Sequence, residues 1–406
     1  MKTEIFDFPN LNNIYYDSQG NLLKNFGKVV DCYTCFRPVC SGENPCIKKY
    51  NSKGKNIICN YGHGGGGWTL NWGSVMKSLD LINIESLKNE NVAIIGSGIL
   101  GLSTASYLIN QGVCPKRICI YTKSLDITTT ASFGSGAIFS SMVTSGESRP
   151  DFNEIILDTF KFWSTIKKAE EGGKGRHIFP WEKIAKHFYL LDLIVGADKS
   201  QHMIETSTGT EVVIEAGLLP ETEIINMKFK NSWKEYKVKK AKTYYFQIYY
   251  LLKEMIEILS NLGVNLIEKE VKEAESLSEN TIFNCTGYLG SSVSQCIQEK
   301  SLPLTGHMIH LKTSEEDNKK NLDYIIITPY KETPTSDTEY LIYMPKKGPG
   351  FDFVLGGTKI KNYYGGNKKY DMENYKRILY NMKKIYGLDV NEDENLKDSR
   401  IPTPKF

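Results

Sequence analysis

The sequence predicts an α/β fold organised round a parallel βαβ unit. Three observations predict it. Residues 92–95 are a short apolar run ending in Gly96. Residues 100–111 repeat apolar side chains at helical spacing, and Gly112 suits the C-cap. Residues 117–122 are a second strand-like run. Strand, glycine turn, helix and strand make one βαβ unit, whose connection is expected to be right-handed.

The other elements follow in chain order. Residues 1–30 are polar, rich in Asn, and read as irregular. Residues 56–60 read as a buried strand, the glycine run 62–67 follows, and 68–81 suit a helix. Residues 85–91 are polar and read as a linker. Beyond the βαβ unit, 245–262 form an amphipathic helical pattern capped by Gly263, and 264–267 and 281–285 read as strands. The stretches 151–240 and 308–406 mix aromatics, charges and short apolar runs, as a second domain made largely of sheet would.

Composition narrows the class. The chain has 406 residues, 40% hydrophobic and 24% charged, with a formal net charge of +3. At about 150 residues per domain that is two to three domains with ample core. It excludes collagen, coiled coil and wholesale disorder. No apolar run approaches the ~18 residues that span a bilayer, and the opening MKTEIFDFPN lacks a signal peptide's apolar stretch. The expectation is an intracellular, cytoplasmic protein without membrane or nucleic-acid partners. Residues 228–242 carry seven lysines interleaved with Phe229, Trp233 and Tyr236. A solvated strand pair accounts for that pattern as well as a nucleic-acid surface does.

Nine cysteines in a chain of this length make no disulfide scaffold. Cys32, Cys35, Cys40 and Cys46 crowd together, but their spacing fits no zinc ribbon, and no metal site is expected. Cys59, Cys114, Cys119, Cys285 and Cys296 lie in apolar contexts and read as core.

Five short motifs carry the chemistry. Gly96-Ser97-Gly98-Ile99-Leu100-Gly101 follows a strand and opens a helix. Its glycines allow a tight turn, close approach of a pyrophosphate and close helix packing. The acid expected about 20 residues on is missing; Lys123 stands there, which leaves a 2′-phosphorylated nucleotide open. Thr128-Thr129-Thr130 precedes Gly134-Ser135-Gly136-Ala137, a hydroxyl-rich loop with helix-capping threonines. Asn60-Tyr61-Gly62-His63-Gly64-Gly65-Gly66-Gly67-Trp68-Thr69 is dense enough in glycine to bring backbone against a flat or anionic ligand. Phe36-Arg37-Pro38-Val39 holds the only arginine of the first 100 residues, a guanidinium suited to a carboxylate. Asn284-Cys285-Thr286-Gly287 ends an apolar strand.

Together these motifs resemble the D-amino-acid oxidase and D-aspartate oxidase family of flavoproteins. In that family the same five segments run from G-x-G-x-x-G through T-T-T, N-C-T-G and G-F-R-P to N-Y-G-H-G-G. Here the last two come first. Residues 396–401, LKDSRI, resemble the family's segment just before G-F-R-P. The chain thus looks like a circular permutant of that fold. The resemblance implies a Rossmann-type FAD-binding domain at 46–143 and 239–309. It places an α+β substrate domain at 1–45, 144–238 and 310–406.

The resemblance also implies site residues. Gly96, Gly98, Ile99, Leu100 and Gly101 would cradle the FAD pyrophosphate. Thr129, Thr130, Gly136 and Ala137 would contact phosphate or flavin, and Val271 the adenine. Gly64, Gly65, Gly67, Trp68 and Thr69 would hold the flavin ring and ribityl chain. Arg37 would bind the substrate carboxylate and the Gly65 carbonyl its amine. Tyr340 would be the substrate-domain tyrosine, with Tyr343 as fallback. His63 reads as structural rather than as a base. The implied reaction takes a D-amino acid to the 2-oxo acid, ammonia and hydrogen peroxide. Hydride would pass from Cα to flavin N5, and molecular oxygen would be the final acceptor. Alternatives are another small amine, such as glycine or an N-methyl amino acid, and a non-catalytic flavin carrier. A homodimer is a candidate assembly. The terminal Pro404-Lys405-Phe406 is not a peroxisomal tripeptide.

Overall fold

The computed structural model describes residues 3–6, 15–16, 22–23, 28–170, 178–196, 207–229, 235–312, 324–330, 339–361 and 363–385. The chain divides into two units. One comprises 37–189 and 244–303, the other 1–36, 190–243 and 304–406.

The first unit is built on a six-stranded sheet. Its elements are β1 (Cys46–Ser52), β2 (Lys55–Tyr61), α1 (Gly67–Leu79), β3 (Val92–Ile95), α2 (Ile99–Asn110) and β4 (Ile118–Thr122). After these come α3 (Phe152–Glu170), α4 (Ile248–Leu262), β5 (Asn265–Glu268) and β6 (Thr281–Asn284). The strand order is β5-β4-β3-β6-β2-β1. All neighbours are parallel except the hairpin pair β1 and β2. Every residue of β3 and β6 is buried, as central parallel strands covered on both faces require. β2 lies two strands from β3, although 30 residues of chain separate Tyr61 from Val92. Cys59 and Tyr61 point to one face, into a core with Ala93, Ile95 and Ile282. α4 ends on Gly263 at φ +98°, a left-handed cap that suits glycine.

The sequence placed residues 144–189 with the other domain. The structure groups them with this unit. α3 lies against α1 through rings: Trp72 meets Phe162 at 4.6 Å and Trp163 edge-on at 5.4 Å. An aromatic stripe declares that one helix face is buried, but not against what. The 85–91 linker also contains one helical turn, Ile84–Leu87, capped by Asn83, whose side chain accepts from the Glu85 N–H at 3.1 Å.

The second unit carries a ten-stranded mixed sheet. Its core gathers Ile194, Met227, Val238, Ile309, Ile326, Tyr343 and Leu355. Helix Lys368–Ile385 contributes Tyr375, Ile378, Leu379 and Met382, the i, i+3, i+4, i+7 stripe of an amphipathic helix. Residues 1–30 are not uniformly irregular: Thr3–Phe6 pairs in parallel with Glu223–Phe229. Segment 396–401 lies outside the described residues. Among the described residues no helix is long and apolar enough to cross a membrane.

Candidate active site

The turn after β3 admits only glycine at two points. Gly96 has φ +110°, and a Cβ there would lie 2.6 Å from the Cys285 carbonyl oxygen. A Cβ on Gly101 would lie 1.9 Å from the Gly96 carbonyl oxygen. A side chain at Gly101 would push the helix from the turn, and one at Gly96 would push the turn from the end of β6. The turn is pinned to the sheet, since Gly96 N–H donates to the Tyr121 carbonyl at 2.8 Å. Cys285 N–H donates to the Ile95 carbonyl at 2.9 Å. Gly98 caps α2 with no side-chain hydrogen bond of its own, and the helix start carries the positive dipole end. Leu100 is buried in its first turn.

Ser132 joins three motifs. Its hydroxyl accepts from the Ile99 N–H at 2.9 Å, and its carbonyl accepts from Trp68 Nε1 at 3.2 Å. A Cβ on Gly67 would come within 4.0 Å of Ile99 Cγ2. The start of α1 therefore abuts the start of α2. Thr69 secures the next segment: its hydroxyl donates to the Ser140 carbonyl at 3.0 Å and accepts from the Ser140 N–H at 2.9 Å. Trp68 stacks on Phe246 at 4.9 Å. Ser132 escaped the sequence reading, because one serine among many hydroxyls carries no signal of its own.

The remaining cofactor candidates fall nearby in the same unit. Thr130 caps helix Ala131–Gly134 by accepting from the Phe133 N–H at 3.2 Å. Thr129 is exposed, and its hydroxyl donates to the Asp126 carbonyl at 2.7 Å. Gly136 is half-buried; Ala137 is buried at φ +55°, a strained conformation for a residue with a Cβ. Its carbonyl accepts from the Phe246 N–H at 2.8 Å, which helps hold it there. Val271 is buried beside Ala274 and Leu277, just beyond β5.

Arg37 is brought to the glycine loop by backbone pairing. Val39 and His63 form an antiparallel bridge. Gly64 N–H donates to the Pro38 carbonyl at 2.6 Å. A Cβ on Gly287 would meet Pro38 Cγ at 3.9 Å, so the N-C-T-G motif arrives at the same place. Arg37 is half-buried. The loop is closed from outside by residues 144–145. A Cβ on Gly64, at φ +60°, would lie 2.0 Å from the Ser145 carbonyl oxygen, and one on Gly66 would lie 2.3 Å from Thr144 Cγ2. A side chain at position 66 would therefore meet Thr144.

His63 is no base. Its Nε2 lies 3.0 Å from Ser74 Oγ. The Ser74 hydroxyl donates to the Asn71 carbonyl at 2.9 Å, so Nε2 carries the proton and donates to Ser74. Burial pushes the imidazole pKa down to about 3, and the ring is neutral.

Other candidates fall elsewhere. Tyr340 belongs to strand Glu339–Gly348 of the second unit, opposite Pro329; its side chain lies outside the described residues. Tyr343 is fully buried in that unit's core, stacked on Phe353 at 5.4 Å. Lys123 is exposed and pairs with Glu270 at 3.5 Å. All nine cysteines are free thiols. Cys114 is exposed rather than core, while Cys119 and Cys296 are half-buried. Cys40, Cys46 and Cys59 share one apolar core; contact with Cys40 lowers the Cys46 thiol, but contact with Cys59 and burial outweigh it and push it up to about 12.

A parallel sheet, a glycine turn opening a helix and a second glycine loop against that helix define a dinucleotide-binding α/β enzyme. The bare Gly98 cap and the glycine-only contacts at Gly96 and Gly101 fit a pyrophosphate. The family model described as DAO, FAD dependent oxidoreductase, matches residues 91–397. The chain belongs to that family: it is an FAD-dependent oxidoreductase, and its cofactor is FAD. The pyridine-nucleotide alternative prompted by Lys123 falls with that match.

The D-amino-acid oxidase of Schizosaccharomyces pombe (strain 972 / ATCC 24843) is 25% identical over 256 residues, covering 60% of this chain and 67% of that protein. Glycine oxidase from Bacillus cereus ATCC 14579 superposes with a TM-score of 0.46 at 14% identity, over 72% of this chain and 77% of that one. L-proline dehydrogenase from P. horikoshii gives 0.48 at 14% identity, over 73% and 77%.

Proposed function

We infer that this protein oxidises a D-amino acid to the 2-oxo acid and ammonia, with molecular oxygen taking the electrons as hydrogen peroxide. One observation carries the reading: the Gly64 N–H to Pro38 carbonyl bond, which sets Arg37 beside the loop that holds Gly65. Together a guanidinium and a backbone carbonyl are complementary to a carboxylate and an ammonium on one carbon. Likeness to the S. pombe D-amino-acid oxidase supports the same substrate class.

FAD supplies the hydride acceptor when bound. The chain's own work is orientation. Arg37 binds the carboxylate bidentately, and the Gly65 carbonyl accepts from the amine, which fixes the direction of the Cα–H bond. Burial holds His63 neutral with its Nε2 against Ser74, and the reading gives it no part in proton transfer.

The test is the visible spectrum of the FAD-loaded protein, recorded without oxygen against D-amino acids. Bleaching of the flavin bands by one of them supports the reading. Bleaching only by glycine or an N-methyl amino acid would transfer the site to other small amines. No bleaching by any amine would leave a flavin carrier.

The segment order fits a circular permutation. β2 lies in the sheet of β3, and the family match starts at residue 91, after the two motifs that come early. A chain opened within 85–91 and rejoined at its present ends by a flexible linker should still bind FAD. Loss of binding there would count against the permutation.

A further inference from the structure

An N–H in the first turn of a helix is a ready donor to an anion. The N–H of Ile99, first residue of α2, instead meets Ser132 Oγ at 2.9 Å. A Cβ on Gly98 would lie 3.0 Å from the same oxygen. The Ser132 hydroxyl thus stands over the Gly98–Ile99 peptide, on the approach that the bare Gly98 leaves to a phosphate. A hydroxyl that accepts one bond keeps a proton to donate. Among the described residues the Ser132 hydroxyl has the Ile99 N–H and no acceptor for that proton. The residue's backbone is held firmly. Its carbonyl accepts from Trp68 Nε1 at 3.2 Å and from Ser135 Oγ at 2.8 Å, and Thr130 caps its helical turn.

We propose that Ser132 is a ligand of the FAD pyrophosphate. Its hydroxyl takes the Ile99 N–H on one side and donates to a phosphate oxygen on the other. The positive helix end then acts through an O–H···O⁻ bond as well, which is short and charge-assisted. The ligand lies in none of the five motifs. It reaches the turn because Trp68 and the loop after Thr130 are locked to each other. The proposal rests on FAD being the cofactor.

The test titrates the apoprotein with FAD by flavin fluorescence, for the parent, Ser132→Ala and Ser132→Thr, with thermal melts of each apoprotein. Ser132→Ala is expected to raise the FAD Kd about tenfold while the apoprotein melting temperature falls by no more than about 4 °C. Ser132→Thr keeps the hydroxyl and is expected to bind FAD within about threefold of the parent. Unchanged or tighter binding by Ser132→Ala would overturn the proposal, because the hydroxyl would then be a plug that a phosphate displaces. An equal loss in Ser132→Thr would overturn it too, since the effect would follow shape rather than the proton. A parent protein that takes up no FAD would overturn it together with the cofactor.

Discussion

Trp68 Nε1 donates to the Ser132 carbonyl at 3.2 Å, and this bond clamps the helix after the glycine loop to the loop after the threonine triplet. The indole also stacks on Phe246 at 4.9 Å, so its ring and its N–H do separable work. Trp68→Phe keeps a ring and deletes the donor, leaving a carbonyl that still accepts from Ser135 Oγ. It should cost about 1 kcal/mol of apoprotein stability. Trp68→Ala removes a buried ring as well and should cost about 3–5 kcal/mol. Equilibrium denaturation of the two variants reads the difference, and equal costs would mean that the bond contributes all of it.

The two glycines under residues 144–145 should differ in tolerance. A Cβ on Gly64 meets backbone, the Ser145 carbonyl at 2.0 Å, at φ +60°. A Cβ on Gly66 meets a side-chain methyl, Thr144 Cγ2, at 2.3 Å. Gly64→Ala should therefore destabilise by more than about 2 kcal/mol, and Gly66→Ala by less. Thr144→Ser removes the opposing methyl, so Gly66→Ala with Thr144→Ser should be more stable than the sum of the singles by about 1 kcal/mol. Additive singles would show that the two positions do not touch.

Arg37 tests catalysis separately from the fold. Arg37→Lys keeps the charge and loses the planar fork, and should lower kcat/KM by about 100-fold. Arg37→Ala should abolish substrate-driven flavin reduction at ordinary concentrations. FAD affinity should stay within about threefold in both, because the proposed cofactor contacts run through Gly96–Gly101 and Ser132 instead. Retained turnover in Arg37→Ala would remove the carboxylate clamp.

Much of the first unit is legible in the sequence, for a physical reason. Gly96 and Gly101 of the turn and Gly64 of the loop need glycine because backbone lies within 3 Å of where a Cβ would stand, and such needs mark a sequence. β3 and α2 come from apolar spacing alone. What stays hidden is pairing between distant segments. Nothing in residues 152–163 says that their rings meet Trp72, so 144–189 reads as part of the other domain. Nothing marks Ser132 among its neighbours, and Lys123 reads as a nucleotide contact until Glu270 is found opposite it.

His63 supplies a pH signature of the apoprotein. The imidazole is buried and neutral, with its pKa pushed from 6.5 down to about 3. Between those values the unfolded chain binds a proton that the folded chain refuses, so stability rises with pH across that window. Falling from pH 7 to pH 5 should remove about 2 kcal/mol through this residue alone. His63→Gln carries no titrating ring and keeps an amide N–H that can reach Ser74 Oγ. Subtracting its denaturation free energy from that of the parent at each pH cancels every other group. The difference should favour the parent least at pH 4 and most at pH 7, and level off above it. A flat difference would place the ring in water rather than behind the glycine loop.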